Sequence, residues 1–401
     1  MSAFLHPGSG RALTLSTAAF TICFAVWTIF SIIGIQIKQQ LSLSDTQFGL
    51  LVGMPILTGS LVRIVLGVAT DRMGGRLVYT LTMLAAALAT FLLSWATTWP
   101  QMLLAALGVG IAGGSFAVGV AYVSRFFDGA RQGTALGIFG VGNVGAAVTK
   151  FVAPFVMIAF GWQATAQIWA GVLALTALAF WALSKDDPVT TARRGTRAPL
   201  RSLRAEFAPL KNLRVWRFST YYFFSFGAFV ALALWLPHYL IGVYGFDVKT
   251  AGMIGAAYSI PASIFRAYGG ILSDRMGART VMYATFLVSL AATAILALIP
   301  GLAVWAFLAV IFTLGFFMSL GKAAVYKHIP TYYPQNVGAV GGLVGMIGGL
   351  GGFVLPLLFG WLKDTTGSWP SCFTVLFLLV AACTLWMHVS IRQSRATLQA
   401  A

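Results

Sequence analysis

Five cations stand inside the long apolar runs of this 401-residue chain: Arg63, Lys150, Arg266, Lys322 and Lys327. A charge at the centre of a membrane helix costs about 2.5–3.5 kcal/mol, so a chain that keeps one generally uses it. The usual structural partner is a buried carboxylate. All nine acids (Asp45, Asp71, Asp128, Asp186, Asp187, Glu206, Asp247, Asp274, Asp364) lie in loops or at the ends of runs. Cations that face a cavity without a carboxylate take their counter-charge from outside, which predicts an anionic substrate. Arg63 and Arg266 are the best pair. Two planar guanidiniums can grip a small planar or tetrahedral oxyanion through paired hydrogen bonds. The blander alternative is that both snorkel or bond helix carbonyls.

The elements that must position these groups follow from composition. The chain is 59% hydrophobic and 9% charged, against roughly 25% charged in soluble domains. That excludes soluble, disordered and collagen-like classes, and three cysteines build no disulfide framework. A polytopic, all-α membrane protein is left. The net charge of +17 reports topology: eighteen basic residues fall in one set of alternating loops and termini, and only Lys38, Lys249 and Lys363 in the other. By the positive-inside rule the first set is cytoplasmic, and the basicity does not signal nucleic acid.

A span needs about 20 apolar residues. Twelve are read, at 12–37, 47–69, 77–97, 100–125, 132–160, 164–184, 216–243, 250–272, 279–299, 302–328, 337–362 and 369–391. An even number places both termini in the cytoplasm, and the first run is too long for a removed signal peptide. The polar stretch from Lys185 to Arg217 divides the chain. This gives an N-terminal six-helix half at 1–184, a cytoplasmic linker at 185–215 and a C-terminal six-helix half at 216–401.

Repetition supports the division. Gly67-x-x-x-Asp71-Arg72-Met73-Gly74-x-Arg76 recurs 203 residues later as Gly270-x-x-x-Asp274-Arg275-Met276-Gly277-x-Arg279, and Arg63 and Arg266 share that offset. A pseudo-twofold relation between the halves would bring one arginine from each to a central site near the bilayer midplane. Asp71, Arg72, Asp274 and Arg275 are expected to gate the cytoplasmic side. Glycines recur at three- and four-residue spacings around Asn143 and again between Gly338 and Gly352, eight of them in those last fifteen residues. Such stripes permit close helix packing, and the second is dense enough to leave room for a small substrate. Asn143 can donate to an oxyanion. Phe30, Phe116, Tyr222 and Phe226 read as packing on the residues alone.

The repeated D-R-x-G loops resemble those of the major facilitator superfamily. With Gly113-Gly114-Ser115-Phe116-Ala117, the glycine-asparagine run at Asn143, the second glycine run and the paired arginines, the chain resembles the NarK-type nitrate/nitrite porters of that superfamily. The resemblance implies twelve transmembrane helices in two repeat-related halves. It also implies that Arg63 and Arg266 hold nitrate, with Asn143, Tyr222, Phe116, Phe30 and Phe226 completing the site. Lys150 and the run Gly321-Lys322-Ala-Ala-Val-Tyr326-Lys327-His328 look closer to the nitrate/proton symporters than to the nitrate/nitrite antiporters of the family. Proton coupling needs a group that titrates, and a lysine in a dry, cationic cavity gives up its proton more readily than one in water. Lys150, Lys322 and His328 are the candidates.

The expectation is therefore a monomeric bacterial inner-membrane transporter importing nitrate by proton symport with alternating access, with no cofactor and no metal. Nitrate/nitrite exchange is the nearest alternative, and organic-anion efflux a wider one. An enzyme would need an oriented nucleophile or a metal cluster, whereas the four histidines (His6, His238, His328, His388) are scattered.

Overall fold

The computed structural model describes residues 8–127, 135–136, 138–193, 211–299, 301–332 and 337–399. Their regular structure is all helical, joined by short turns, with no β-strand among them. In chain order the helices are α1 (Ser9–Trp27), α2 (Phe30–Gln40), α3 (Asp45–Met73), α4 (Gly75–Leu93), α5 (Trp99–Val109), α6 (Ser115–Ser124), α7 (Gly145–Leu183), α8 (Pro188–Arg193), α9 (Leu213–Tyr222), α10 (Phe229–Tyr244), α11 (Val248–Met276), α12 (Ala278–Leu298), α13 (Val304–Tyr332), α14 (Val337–Thr366) and α15 (Ser371–Gln399). In a bilayer every backbone polar group must be satisfied within the chain, and helices do this locally.

Ten helices among the described residues are long and apolar enough to cross a membrane. The count differs from twelve for two physical reasons. Ile138–Leu183 runs 46 residues as one element, about twice what a bilayer needs. It breaks at Gly161, where φ is 84° and ψ 167°, so it takes in most of the runs read at 132–160 and 164–184. The run read at 250–272 forms α11, which carries Arg266 and is not among the ten.

Helix starts follow local chemistry. Ser44 caps α3 in a reciprocal box: Gln47 N–H donates to Ser44 Oγ at 3.1 Å, and Ser44 N–H donates to Gln47 Oε1 at 2.9 Å. Gln101 Oε1 accepts from the Thr97 and Thr98 N–H groups at 2.9 and 3.2 Å ahead of α5. The repeated motif read as a loop is mostly helix. Asp71 and Arg72 fall in the last turn of α3, and Asp274 and Arg275 in the last turn of α11. Only Gly74 (φ 89°) and Gly277 (φ 84°) leave helical geometry, a left-handed φ that favours glycine.

Contacts divide the chain into two compact units. One comprises Met1–Leu200 with Ala233–Ser263, the other Arg201–Leu232 with Ile264–Ala401. In the first unit, α7 packs so closely on α1 that a Cβ on Gly145 would collide with Thr21 O. Buried Thr149 donates to Ala25 O at 2.6 Å and accepts from Trp169 Nε1 at 2.9 Å. The stretch after α7 docks on the same unit: Arg125 pairs with the fully buried Asp187 at 3.3 Å. In the second unit, α14 packs against α9 and the turn after it through Gly348 and Gly351.

Candidate functional site

In the first unit Arg63 sits half-buried on α3. Its guanidinium carbon lies 5.8 Å from the Trp27 ring centre and 5.4 Å from that of Phe116, within cation–π range. Phe20 joins Phe116 at 5.5 Å and Phe139 at 4.8 Å, and Phe24 meets Trp27 edge-on at 5.1 Å. The arginine is thus set against aromatic faces supplied by α1 and α6, with Phe139, ahead of α7, stacked behind Phe116 at 5.9 Å. Asn143 is half-buried in the 3₁₀ turn Val141–Val144 that leads into α7. Gly142 in that turn packs against the Phe20 ring, with 2.5 Å between a Cβ there and the ring edge. Phe30 is buried at the first residue of α2, 1% exposed.

In the second unit Arg266 is half-buried on α11, 5.9 Å from the Tyr326 ring centre. Tyr326 Oη donates to Gly341 O at 3.0 Å and its ring meets Tyr222 edge-on at 4.9 Å. Tyr222 and Phe226 stack at 5.0 Å and 6°. Buried Lys322 places its ammonium 3.2 Å from the Phe229 ring centre and 5.9 Å from that of Phe226. A Cβ on Gly348 would collide with Tyr222, and one on Gly345 would sit 2.7 Å from Tyr326 Oη. The second glycine stripe is therefore partly a packing seam for these two tyrosines. Gly342 in the same run has open space beside it.

Helix irregularities fall on or beside the expected residues. Gly110–Gly114 tightens to 3₁₀ just before Phe116. Val141–Val144 does the same at Asn143. Phe223–Ala228 widens to a π-helix that holds Phe226 and follows Tyr222. The chain breaks between α1 and α2 immediately before Phe30. Irregular turns of this kind favour functional positions, and inside a membrane such backbone is tolerated where protein or a cavity surrounds it.

The remaining expected residues separate. Lys150 is fully buried on α7, its ammonium 3.3 Å from Ser259 Oγ and 3.5 Å from Ala146 O. Among the described residues no carboxylate lies within ion-pair distance of it. His328 lies flat on Phe218 at 5.5 Å and 3°, with Tyr332 beyond at 6.0 Å. Lys327 is exposed. Arg275 is exposed, while the side chains of Asp71, Arg72 and Asp274 lie outside the described residues.

Sequence reasoning passed over Trp27, Phe20, Phe24, Phe229 and the Tyr326 ring as site members. Among 31 phenylalanines and 12 each of tyrosine and tryptophan, spacing offers no signal that separates them. Only the glycines at 59 and 113, which leave room for an indole, carry a trace.

The chain matches the family model described as Major Facilitator Superfamily over residues 15–254 and 244–400. It is similar to a probable nitrate/nitrite antiporter NarK1 of Thermus thermophilus, 43% identical over 415 residues that cover 96% of this chain and 92% of that protein. A probable nitrate transporter NarT of Staphylococcus haemolyticus is 31% identical, covering 92% and 93%. A nitrite extrusion protein of Bacillus subtilis is 29% identical, covering 94% of each. Among solved structures, a bacterial homolog of the human lysosomal transporter Spinster superposes with a TM-score of 0.78 at 16% identity, covering 96% and 97%. The nucleoside transporter NupG (D323A mutant) gives 0.74 at 15%, covering 94% and 99%. At such identities these structures speak to the fold alone.

Proposed function

Because the chain belongs to the NarK-type nitrate/nitrite porters of the Major Facilitator Superfamily, we propose that it imports nitrate across the bacterial inner membrane by proton symport with alternating access. One observation supports this reading above the others. Each unit sets one arginine of an apolar helix beside aromatic rings, Arg63 against Trp27 and Phe116, Arg266 against Tyr326. A flat anion suits such walls: its edge takes hydrogen bonds from guanidinium, while its faces lie against rings.

In this reading Arg63 and Arg266 hold the nitrate oxygens, Asn143 and the Tyr222 hydroxyl add donors, and Phe116, Phe30 and Phe226 supply apolar walls. The anion offsets the charge of both arginines, which is the differential interaction a ligand needs to bias a conformational equilibrium. Lys150, Lys322 and His328 are the proton-coupling candidates, and Asp71, Arg72, Asp274 and Arg275 the gating residues. The repeat makes 1–184 and 216–401 the two six-helix halves and 185–215 the linker, with both termini cytoplasmic and the monomer as working unit.

The name of the Thermus relative favours a second reading, nitrate/nitrite exchange. Nitrate uptake into proteoliposomes separates the two. Symport gives uptake driven by an inward proton gradient into nitrite-free vesicles. Uptake that requires internal nitrite and ignores the gradient would establish exchange. Uptake of neither anion under any condition would overturn both.

A further inference from the structure

Trp27 is held by three separate contacts, two of them to the helix that carries Arg63. Its Nε1–H donates to Pro55 O at 2.7 Å. A Cβ on Gly59 would lie 2.5 Å from Nε1, and one on Gly113 would collide with Cε2. The side chain is buried, 1% exposed, with Phe24 edge-on against it. Pro55, Gly59 and Arg63 follow one another at intervals of four on α3. Residues at that spacing line one helix face. The indole therefore lies along the face from which Arg63 rises, held from the other side by the glycine of the G-G-S-F segment.

A guanidinium on a three-carbon stem needs something to fix its tilt if it is to meet a planar anion edge-on. A carboxylate would fix it by occupying the same N–H fork the anion needs. An aromatic face attracts the cation through its quadrupole and presents no acceptor in competition. Trp27 suits that task better than Phe116, because its own N–H is anchored to the α3 backbone and the ring cannot turn with the ligand.

We propose that Trp27 is the positioning residue for Arg63: the indole, locked between Pro55 O, Gly59 and Gly113, sets the orientation in which the guanidinium receives the anion. This rests on the reading that Arg63 holds nitrate. It also assigns Gly113 a task, that of leaving the gap the indole fills.

The test measures initial nitrate uptake against concentration in proteoliposomes for the parent, Arg63→Ala, Trp27→Leu, Trp27→Phe and Gly113→Ala. Trp27→Leu removes the ring face and is expected to raise KM on the order of 2- to 30-fold, with Vmax within about twofold of the parent. Trp27→Phe keeps a ring but loses the anchor, so its KM falls between. Gly113→Ala displaces the indole without removing it and raises KM in the same direction. Parent KM in Trp27→Leu and Gly113→Ala, with Arg63→Ala inactive, overturns the proposal and leaves Trp27 as packing. A fall in Vmax at unchanged KM overturns it equally. Undiminished uptake by Arg63→Ala instead overturns the underlying reading, a distinct outcome. If Trp27→Leu yields no monodisperse protein, the KM of Trp27→Phe decides.

Discussion

Replacing Lys150 by methionine separates a working charge from a structural one. The lysine is fully buried, with its ammonium 3.3 Å from Ser259 Oγ and 3.5 Å from Ala146 O. Both contacts are long beside the 2.7–2.9 Å usual for a charge-assisted bond. Its stem fills a tight place, since a Cβ on Gly255 would lie 3.0 Å from Lys150 Cδ. Methionine keeps that shape and removes the charge. The charge costs about 2.5–3.5 kcal/mol at a helix centre, and good hydrogen bonds to a charged group return about 1.5–3 kcal/mol. That figure is for each bond; two at 3.3 and 3.5 Å return about 1 kcal/mol apiece, so the balance favours methionine by roughly 1 kcal/mol. Ser259 keeps its bond to Gly255 O at 2.8 Å in either case. The expected result is a purified Lys150→Met protein whose Tm is no lower than the parent's. In proteoliposomes the same variant loses the stimulation of nitrate uptake by an inward proton gradient. A Tm several degrees below the parent's would make Lys150 structural. Intact gradient stimulation would remove it from proton coupling.

Other consequences follow from the same packing. Thr149→Val strands Trp169 Nε1–H, which donates to Thr149 at 2.9 Å, and removes the 2.6 Å bond from Thr149 to Ala25 O; the expected loss is about 1–3 kcal/mol, seen as a lower Tm that Thr149→Ser restores. Gly348→Ala drives a methyl into Tyr222, at a cost of about 1–3 kcal/mol for overpacking, and is expected to raise the KM for nitrate; an unchanged KM would separate Tyr222 from the anion. His238 Nε2 lies 2.6 Å from Asp45 Oδ1, with Lys38 at 3.4 Å on the same oxygen and the Phe48 and Trp235 rings beside the imidazole. A double-mutant cycle on thermal stability with Asp45→Asn and His238→Gln is expected to give coupling that is larger at pH 5 than at pH 8, because the protonated ring makes the charge-assisted bond. Equal coupling at both pH values would show that a neutral bond is enough.

The sequence announces its charges and its glycines, and conceals its rings and its helix irregularities. Arg63 and Arg266 stand out because a cation in an apolar run is costly, and that cost can be read without a structure. The rings around them cannot be told apart in this way. Trp27 and Phe30 are three residues apart, yet α1 ends at the first and α2 begins at the second. Helical spacing therefore says nothing about which of them Arg63 meets. The 3₁₀ and π turns at Gly110–Gly114, Val141–Val144 and Phe223–Ala228 depend on tertiary packing that propensity does not encode. The gate motif reads as a loop because of its charges and glycines, but helix persists through Asp71-Arg72 and Asp274-Arg275 until Gly74 and Gly277 turn the chain. The spans read at 132–160 and 164–184 part where the backbone breaks through one positive φ at Gly161, so that boundary is legible, while the helical continuity on either side of it is not.

The central claim is that Arg63 and Arg266 each bind the transported anion. Calorimetric titration of nitrate into the purified parent, Arg63→Ala and Arg266→Ala proteins tests it most directly. The account predicts saturable binding to the parent and none to either variant, with all three proteins monodisperse and folded. Binding of nitrate to either variant with the parent's affinity would contradict it.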